Sequence, residues 1–306
     1  MNDYFELDCA GRTLDLGKVR IMGVLNITSD SFYGSSRCRT IEAALKKAEE
    51  MVESGADILD VGGESTSKMV RRYGYNDDKA YCVSGGSAMQ AKEGATSCEQ
   101  ELEKVVPVVE ALVKRFDCIV SVDTSSAAVI RESVKVGAGM INDVRALQRS
   151  GALEAVAATE LPVILMHSLI DHPESDFVPS YNNIIVEVIG YLHKSIKRCV
   201  DAGIKKHRII IDPGFGGGLF GKTPAHDISM LKHFSSFHEL KLPILAGMSR
   251  KSFIGAILDK GPDHRLSGSL AVAVIAAQAG AHILRVHDVA ETCDIVRILE
   301  AVNSAD

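Results

Sequence analysis

Five polar residues stand at the ends of apolar runs. Asp123 closes "CIVSVD", Asn142 and Asp143 close "GAGMIND", Asp212 closes "RIIID", and Lys251 follows "LPILAGMSR". Carboxylates, an amide and an ammonium offer donors and acceptors suited to a flat heterocycle with several ring nitrogens and an exocyclic amine. A buried carboxylate next to a lysine also avoids the desolvation cost of a lone charge. A second group suits anions: Ser249, Arg250, Lys251 and Ser252 after one run, with Arg285 and His287 after the next. Arginine offers paired donors to phosphate oxygens in a rigid geometry. A ligand with a planar polar head and a phosphate tail follows. Asn26 and Thr66 end two earlier runs in the same way.

Strands must deliver these residues. In "IIIDPGFGGGLFGKT", Ile209 to Thr223, three β-branched residues lead into Asp212, and Pro213 and a cluster of glycines then break regular structure. That order reads as a buried parallel strand followed by a loop whose backbone can come close to a ligand. Seven more runs share the pattern: "VRIMGVLN", "DILDVGG", "CIVSVDT", "GAGMINDVRAL", "LPVILMH", "LPILAGMSRKSF" and "AHILRVHDV". Between them lie helical patterns, among them Ile41 to Ser54 with Thr40 as cap and Gly55 as stop, "EQELEKVVPVVEALVKRF", Ser125 to Val136, Asn182 to Ala202, "PAHDISMLKHFSSF" and "SGSLAVAVIAAQAG". A last helix runs from about Ala290 to Val302. Eight such runs predict an α/β fold, a single (β/α)8 TIM barrel domain spanning residues 1–306, whose strands' carboxyl ends share the active-site face. Tyr4 to Gly17 alternates and turns at Gly11, as a hairpin plugging the barrel bottom would. The irregular stretch Ser67 to Cys98 is a long loop after strand 2, expected as a lid or a disordered segment.

Composition excludes other classes. Of the 306 residues 46% are hydrophobic and 24% charged, which suits a globular protein with ample core. A net charge of -6 argues against nucleic acid as a partner. The seven cysteines form no C-x-x-C pair, which fits a reducing, cytoplasmic setting. Residues 1–17 have acids where a signal peptide wants a basic region and an apolar core. The most apolar stretch, Leu270 to Leu284, is interrupted by Gln278, Gly280 and His282 and is too short to span a membrane. His167, His172, His226 and His264 lack metal-like spacing and read as surface or strand-end residues.

Taken jointly, "IMGVLNITSDSF", "GADILDVGGEST", "VSVDTSSA", "AGMINDV", "PVILMH", "FGKTP", "AGMSRKSFIGAIL" and "ILRVHDV" resemble the dihydropteroate synthase family, in order, from about Val19 to Val302. The resemblance implies a transferase of folate biosynthesis and a sulfonamide target. Such an enzyme joins 6-hydroxymethyl-7,8-dihydropterin pyrophosphate to 4-aminobenzoate and releases pyrophosphate. By motif match, Asp123, Asn142, Asp212 and Lys251 would hold the pterin, with Arg285 along its face. Asn26 would help coordinate Mg2+ on the pyrophosphate, and Arg285 and His287 would bind its oxygens. Thr66, Ser252, Phe32 and Phe220 would lie nearer the aminobenzoate. Asp123, Lys251 and Arg285 would carry catalysis, and the family implies a homodimer formed through the last helices.

Departures from the family gather on the acceptor side. Ser67 and Lys68 stand where an Arg and a Pro are expected, with Lys68, Arg71 or Arg72 available as substitute cations. Ser29 replaces a usual Pro, the loop after strand 2 is extended, and Gly217 to Leu219 are extra. The alternative is therefore a pterin-binding paralogue with a different acceptor or none. A pterin-dependent methyltransferase fits less well, because it has no pyrophosphate for "SRK" and "RVH" to hold. Gly216 to Thr223, "GGGLFGKT", also matches the nucleotide-binding pattern G-x-x-x-x-G-K-[ST]. Pro224 biases Thr223 away from helical geometry, which argues against a P-loop.

Overall fold

Two short strands, β1 (Glu6–Cys9) and β2 (Arg12–Asp15), pair antiparallel about a turn at Ala10 and Gly11, both in the left-handed region. This computed structural model describes residues 5–27, 36–63, 98–169, 180–216 and 220–305. The expectations for Ser29, Phe32, Thr66, the stretch 67–97, His172 and residues 217–219 lie outside them. Alternation along the hairpin buries Leu7, Cys9, Leu14 and Leu16.

Eight parallel strands follow: β3 (Arg20–Asn26), β4 (Ile58–Gly62), β5 (Ile119–Asp123), β6 (Met140–Asp143), β7 (Val163–Met166), β8 (Ile209–Asp212), β9 (Leu245–Ala246) and β10 (Ile283–Val286). They neighbour one another in the order β8-β7-β6-β5-β4-β3-β10-β9. A parallel bridge between Ile211 and Ile244 joins β8 to the start of β9 and closes the ring, with Ile211 N donating to Pro243 O at 2.9 Å. Around it lie α1 (Ser36–Glu53), α2 (Cys98–Arg115), α3 (Ala127–Lys135), α4 (Ala152–Ala157), α5 (Ile184–Asp201), α6 (Pro224–Lys232), α7 (Ser252–Leu258), α8 (Leu266–Gln278) and α9 (Val289–Asn303). The predicted (β/α)8 barrel and its hairpin plug are both present.

Period-two alternation explains the interior. Met22, Ile58, Ile119, Met140, Ile164, Ile210, Leu245 and Ile283, one from each barrel strand, join the hairpin's four apolar side chains in a single buried cluster. Each such burial contributes about 1.5–3 kcal/mol. Their strand neighbours, such as Leu59, Val61, Val120, Ile141, Leu165 and Ile211, pack outward in the larger core under the helices. Two residues on from the inner apolar layer come Val24, Asp60, Ser121, Asn142, Met166, Asp212, Gly247 and Arg285. The same inward face becomes polar towards its carboxyl end.

Three boundaries differ from the sequence reading. Helix α1 begins at Ser36 instead of Ile41, so Thr40 lies within it and not before it. The run "LPILAGMSRKSF" yields only a two-residue strand, and its Ser252 and Phe253 open α7, so two helices separate β9 from β10. The end of "PAHDISMLKHFSSF" winds into 3-10 turns over Phe234–Leu240, burying Phe234 and Phe237. Among the described residues no helix is long and apolar enough to cross a membrane.

Candidate active site

Arg285, near the end of β10, organises the barrel mouth. Its Nε donates to Asp60 Oδ2 at 2.6 Å and its Nη2 to Asp123 Oδ2 at 2.8 Å. Asn142 Nδ2 donates to the same Asp60 oxygen at 3.0 Å. One guanidinium thus ties β4 to β5, and the amide adds β6. Asp60 is fully buried, and its Oδ1 has no hydrogen-bond partner among the described residues. A buried carboxylate oxygen left unpaired is costly, so this atom suits an N–H donor of a bound ring. Asp60 was not singled out from the sequence. The signal was there: it stands two residues after Ile58 and shares its inward face.

Carboxylates outnumber cations here. Burial pushes Asp123 up to about 7, against the pull of Arg285, and Asp60, Asp143 and Glu101 add to the rise. Burial works against the charge on Arg285, but Asp60 and Asp123 overcome it and raise its pKa. Asp212 is also raised by burial, opposed by the Gly214 N–H and by Lys251 and Arg285. Such a mouth favours a ligand rich in N–H groups that gains positive charge as it reacts. Asp143 has a different task. Its Oδ1 accepts from Ser125 Oγ at 2.5 Å and from Arg145 N at 2.8 Å, and its Oδ2 from Leu147 N at 2.9 Å. These bonds hold the left-handed Ala146 and Leu147 beyond Asn142.

On the opposite wall, Asp212 Oδ1 accepts from Gly214 N at 2.7 Å. Only glycine fits there: its φ is +73°, and a Cβ would come within 2.1 Å of His167 O. Phe220 is buried, and Lys251 Nζ lies 4.5 Å from its ring centre, a cation–π distance. Lys251 is the residue before α7 and lies by both Phe220 and Asp212, while Ser252 begins that helix. Lys222 is fully buried against His167, and Thr223 is an extended N-cap with Pro224 at the first helical position. That lysine is not presented to a nucleotide, so the P-loop reading fails. His226 completes a capping box with Thr223, and His167 is a buried strand-end residue.

The anion-binding group needs one correction. Arg250 is not aimed at a ligand: its Nε and Nη2 meet Asp288 Oδ2 and Oδ1 at 2.9 and 2.6 Å. Its φ of 58°, unusual for a residue with a side chain, is held by Arg250 N donating to Ser269 Oγ and by Arg265 donating to Arg250 O. Arg250 is a strut for the turn that ends in Lys251. Ser249 Oγ lies 3.1 Å from His287 Nδ1 and accepts from His287 N at 3.2 Å. Burial, with Arg285 and Lys251 nearby, brings His287 down to about 4, so without a ligand it is a neutral imidazole. Asn26 ends β3 partly buried. Among the described residues no group of three or more His, Cys, Asp or Glu forms a metal cage.

The fold and this mouth define a class. A family model described as pterin binding enzyme matches residues 22–77 and 84–287, and the chain belongs to that family. Within it, the relatives are dihydropteroate synthases. The Escherichia coli (strain K12) enzyme is 47% identical over 300 residues, 98% of this chain and 97% of that protein. Dihydropteroate synthase from Xanthomonas albilineans in complex with 7,8-dihydropteroate superposes with a TM-score of 0.79 at 39% identity, covering 98% of this chain and 99% of that one. The Yersinia pestis enzyme in complex with a sulfonamide drug gives 0.80 at 44% identity, covering 99% and 100%.

Proposed function

We propose that the chain is a dihydropteroate synthase that condenses 6-hydroxymethyl-7,8-dihydropterin pyrophosphate with 4-aminobenzoate in folate biosynthesis. The observation that carries this reading is the inward layer of Asp60, Asn142, Asp212 and Arg285, with Asp123 one step above. Its acceptors match the ring N–H and amino groups of a pterin, and Asp60 Oδ1, without a partner among the described residues, suits one of them. Arg285 would lie along the ring face and, with His287, bind the pyrophosphate oxygens. Asp123 offsets the positive charge that develops on the pterin methylene as its C–O bond breaks. The aromatic amine is already nucleophilic and needs only placement within about 3.5 Å of that carbon. Phe220 and Ser252 would lie on the acceptor side, where the family resemblance also puts Phe32 and Thr66, both outside the described residues.

Mg2+ belongs to the same reading. Asn26, at the end of β3, would help hold the ion, together with substrate pyrophosphate oxygens. The ion would neutralise charge on the leaving group. The cytoplasm fits the free thiols of Cys9, Cys98, Cys118, Cys199 and Cys293. Pairing of two copies through the last helices fits the exposed Ile275, Ile298 and Val302. Sedimentation at several concentrations tests that pairing.

The deciding experiment is pyrophosphate release from purified protein given the dihydropterin pyrophosphate and Mg2+, with and without 4-aminobenzoate. Amine-dependent release with dihydropteroate formed is the expected result. Pterin binding without such release would instead identify a paralogue with another acceptor. A sulfonamide titration in the same assay reads out the altered acceptor loops.

A further inference from the structure

Lys222 is a fully buried lysine on the loop between β8 and α6. With no exposed surface it cannot touch a substrate. Its Nζ lies 2.7 Å from His167 Nδ1, and it donates to His167 O at 3.4 Å and to Phe220 O at 3.2 Å. An ammonium has three N–H groups, and here three acceptors surround it. Methionine would fill similar space without the desolvation cost. What the lysine adds is direction.

The acceptors connect two parts of the site. His167 follows β7, its backbone N donates to Asp212 O at 2.9 Å, and its ring packs 4.7 Å from Tyr191. Phe220 belongs to the loop after β8 and carries the ring beneath Lys251 Nζ. That loop has other ties: Gly216 N donates to Asp227 Oδ1 at 3.0 Å, and Tyr181 Oη to Gly221 O at 2.8 Å. Gly216 lies close enough that a Cβ there would come 3.0 Å from the Phe220 ring and 3.3 Å from the Lys251 side chain. A small shift of this loop would therefore displace Phe220 and Lys251 together.

We propose that Lys222 is a positioning residue for the acceptor half of the reaction, clamping the loop after β8 to the end of β7 so that Phe220 stays beneath Lys251. The proposal rests on the synthase reading above and deepens it. The clamp is sensitive to protonation. Burial lowers Lys222 to about 7, opposed by Asp227 and Asp212, with Lys251 adding to the fall. The groups around it are thus His167 after β7, Asp212 on β8, Asp227 on α6 and Lys251 before α7, with His226, itself lowered by burial and Lys222, on α6. Loss of the proton as pH rises through about 7 removes one donor from a nest of three acceptors.

The test is steady-state kinetics on the full chain for wild type, Lys222→Met and Tyr181→Phe, varying each substrate at several pH values. For Lys222→Met the expected result is a KM for 4-aminobenzoate raised roughly tenfold, the scale of one or two lost hydrogen bonds. Its KM for the pterin pyrophosphate should stay within about twofold. In wild type the aminobenzoate KM should climb above pH 7, and that climb should be missing from the variant. Should Lys222→Met fail to fold, the wild-type pH profile decides, an aminobenzoate KM that stays flat above pH 7 overturning the clamp, while Tyr181→Phe cuts a separate tie of the same loop. It should raise the same KM roughly threefold. A folded variant with an unmoved aminobenzoate KM, or one that loses both substrates equally, overturns the role of Lys222 alone. Wild-type protein without amine-dependent turnover overturns the synthase reading and this inference with it.

Discussion

The two ends of the barrel interior are built on the same strands, two residues apart, and they do opposite work. At the amino end every strand contributes an apolar side chain, and the hairpin adds four more. At the carboxyl end the layer holds Asp60, Asn142, Asp212 and Arg285, and burial raises the pKa of Asp212 there and of Asp123 one step beyond. The lower layer stabilises the fold at little functional cost. The upper one is held in an electrostatically costly state that a ligand relieves, the usual trade between stability and activity at a site.

The contrast can be broken at either end. The largest effect is expected for Arg285→Leu, which leaves Asp60 and Asp123 without their shared partner. Amine-dependent pyrophosphate release should fall by roughly a thousandfold, about 4 kcal/mol, and a loss under tenfold would remove Arg285 from the centre of the site. Ile58→Ala, one level below Asp60, should instead cost about 3 kcal/mol in a urea melt while kcat of the folded enzyme stays within about twofold. Asp123→Asn should lower kcat about a hundredfold, near 2.7 kcal/mol, with pterin affinity little changed. Unchanged turnover would exclude charge stabilisation by that carboxylate.

Smaller effects sharpen the comparison. Leu14→Ala in the hairpin should lower stability by about 2 kcal/mol and leave both KM values alone, as kinetics would check. The last prediction concerns pH. A carboxyl raised to about 7 in the fold from the ordinary 3.8 binds a proton on folding between those values. Stability from Asp123 is therefore fully present below pH 4 and is lost as pH rises through 7. The melting temperature of the ligand-free protein should fall less between pH 5.5 and 8 in Asp123→Asn than in wild type.

Much of this was legible in the sequence because a barrel strand delivers its last residue to a known face. Asp123, Asn142, Asp212 and Arg285 read as residues at or near strand ends by that rule, and the structure gathers them at one mouth. Asp60 escaped because "DILDVGG" reads as one apolar run, and the eye moves to its end. Counting by two from Ile58 would have found it. Arg250 misled for the opposite reason. Its neighbours suggested an anion, but pairing with Asp288 depends on a left-handed turn that no local pattern announces. The burial of Lys222 was equally hidden, since its acceptors come from Phe220 and from His167, 55 residues away.

The closure of the ring has a consequence for how the molecule breathes. β9 has only two residues, and its junction with β8 rests on the bridge from Ile211 to Ile244. This thinly laced seam runs between the strand that ends in Asp212 and the one that leads to Lys251. Amides such as Ile211 should exchange with deuterated solvent sooner than those of the well-paired β3 and β4, because local openings start where few bonds must part. A ligand gripping both Asp212 and Lys251 would stitch the seam from above. Occupancy of the site would then be readable at the barrel wall, as slowed exchange in residues the ligand never touches.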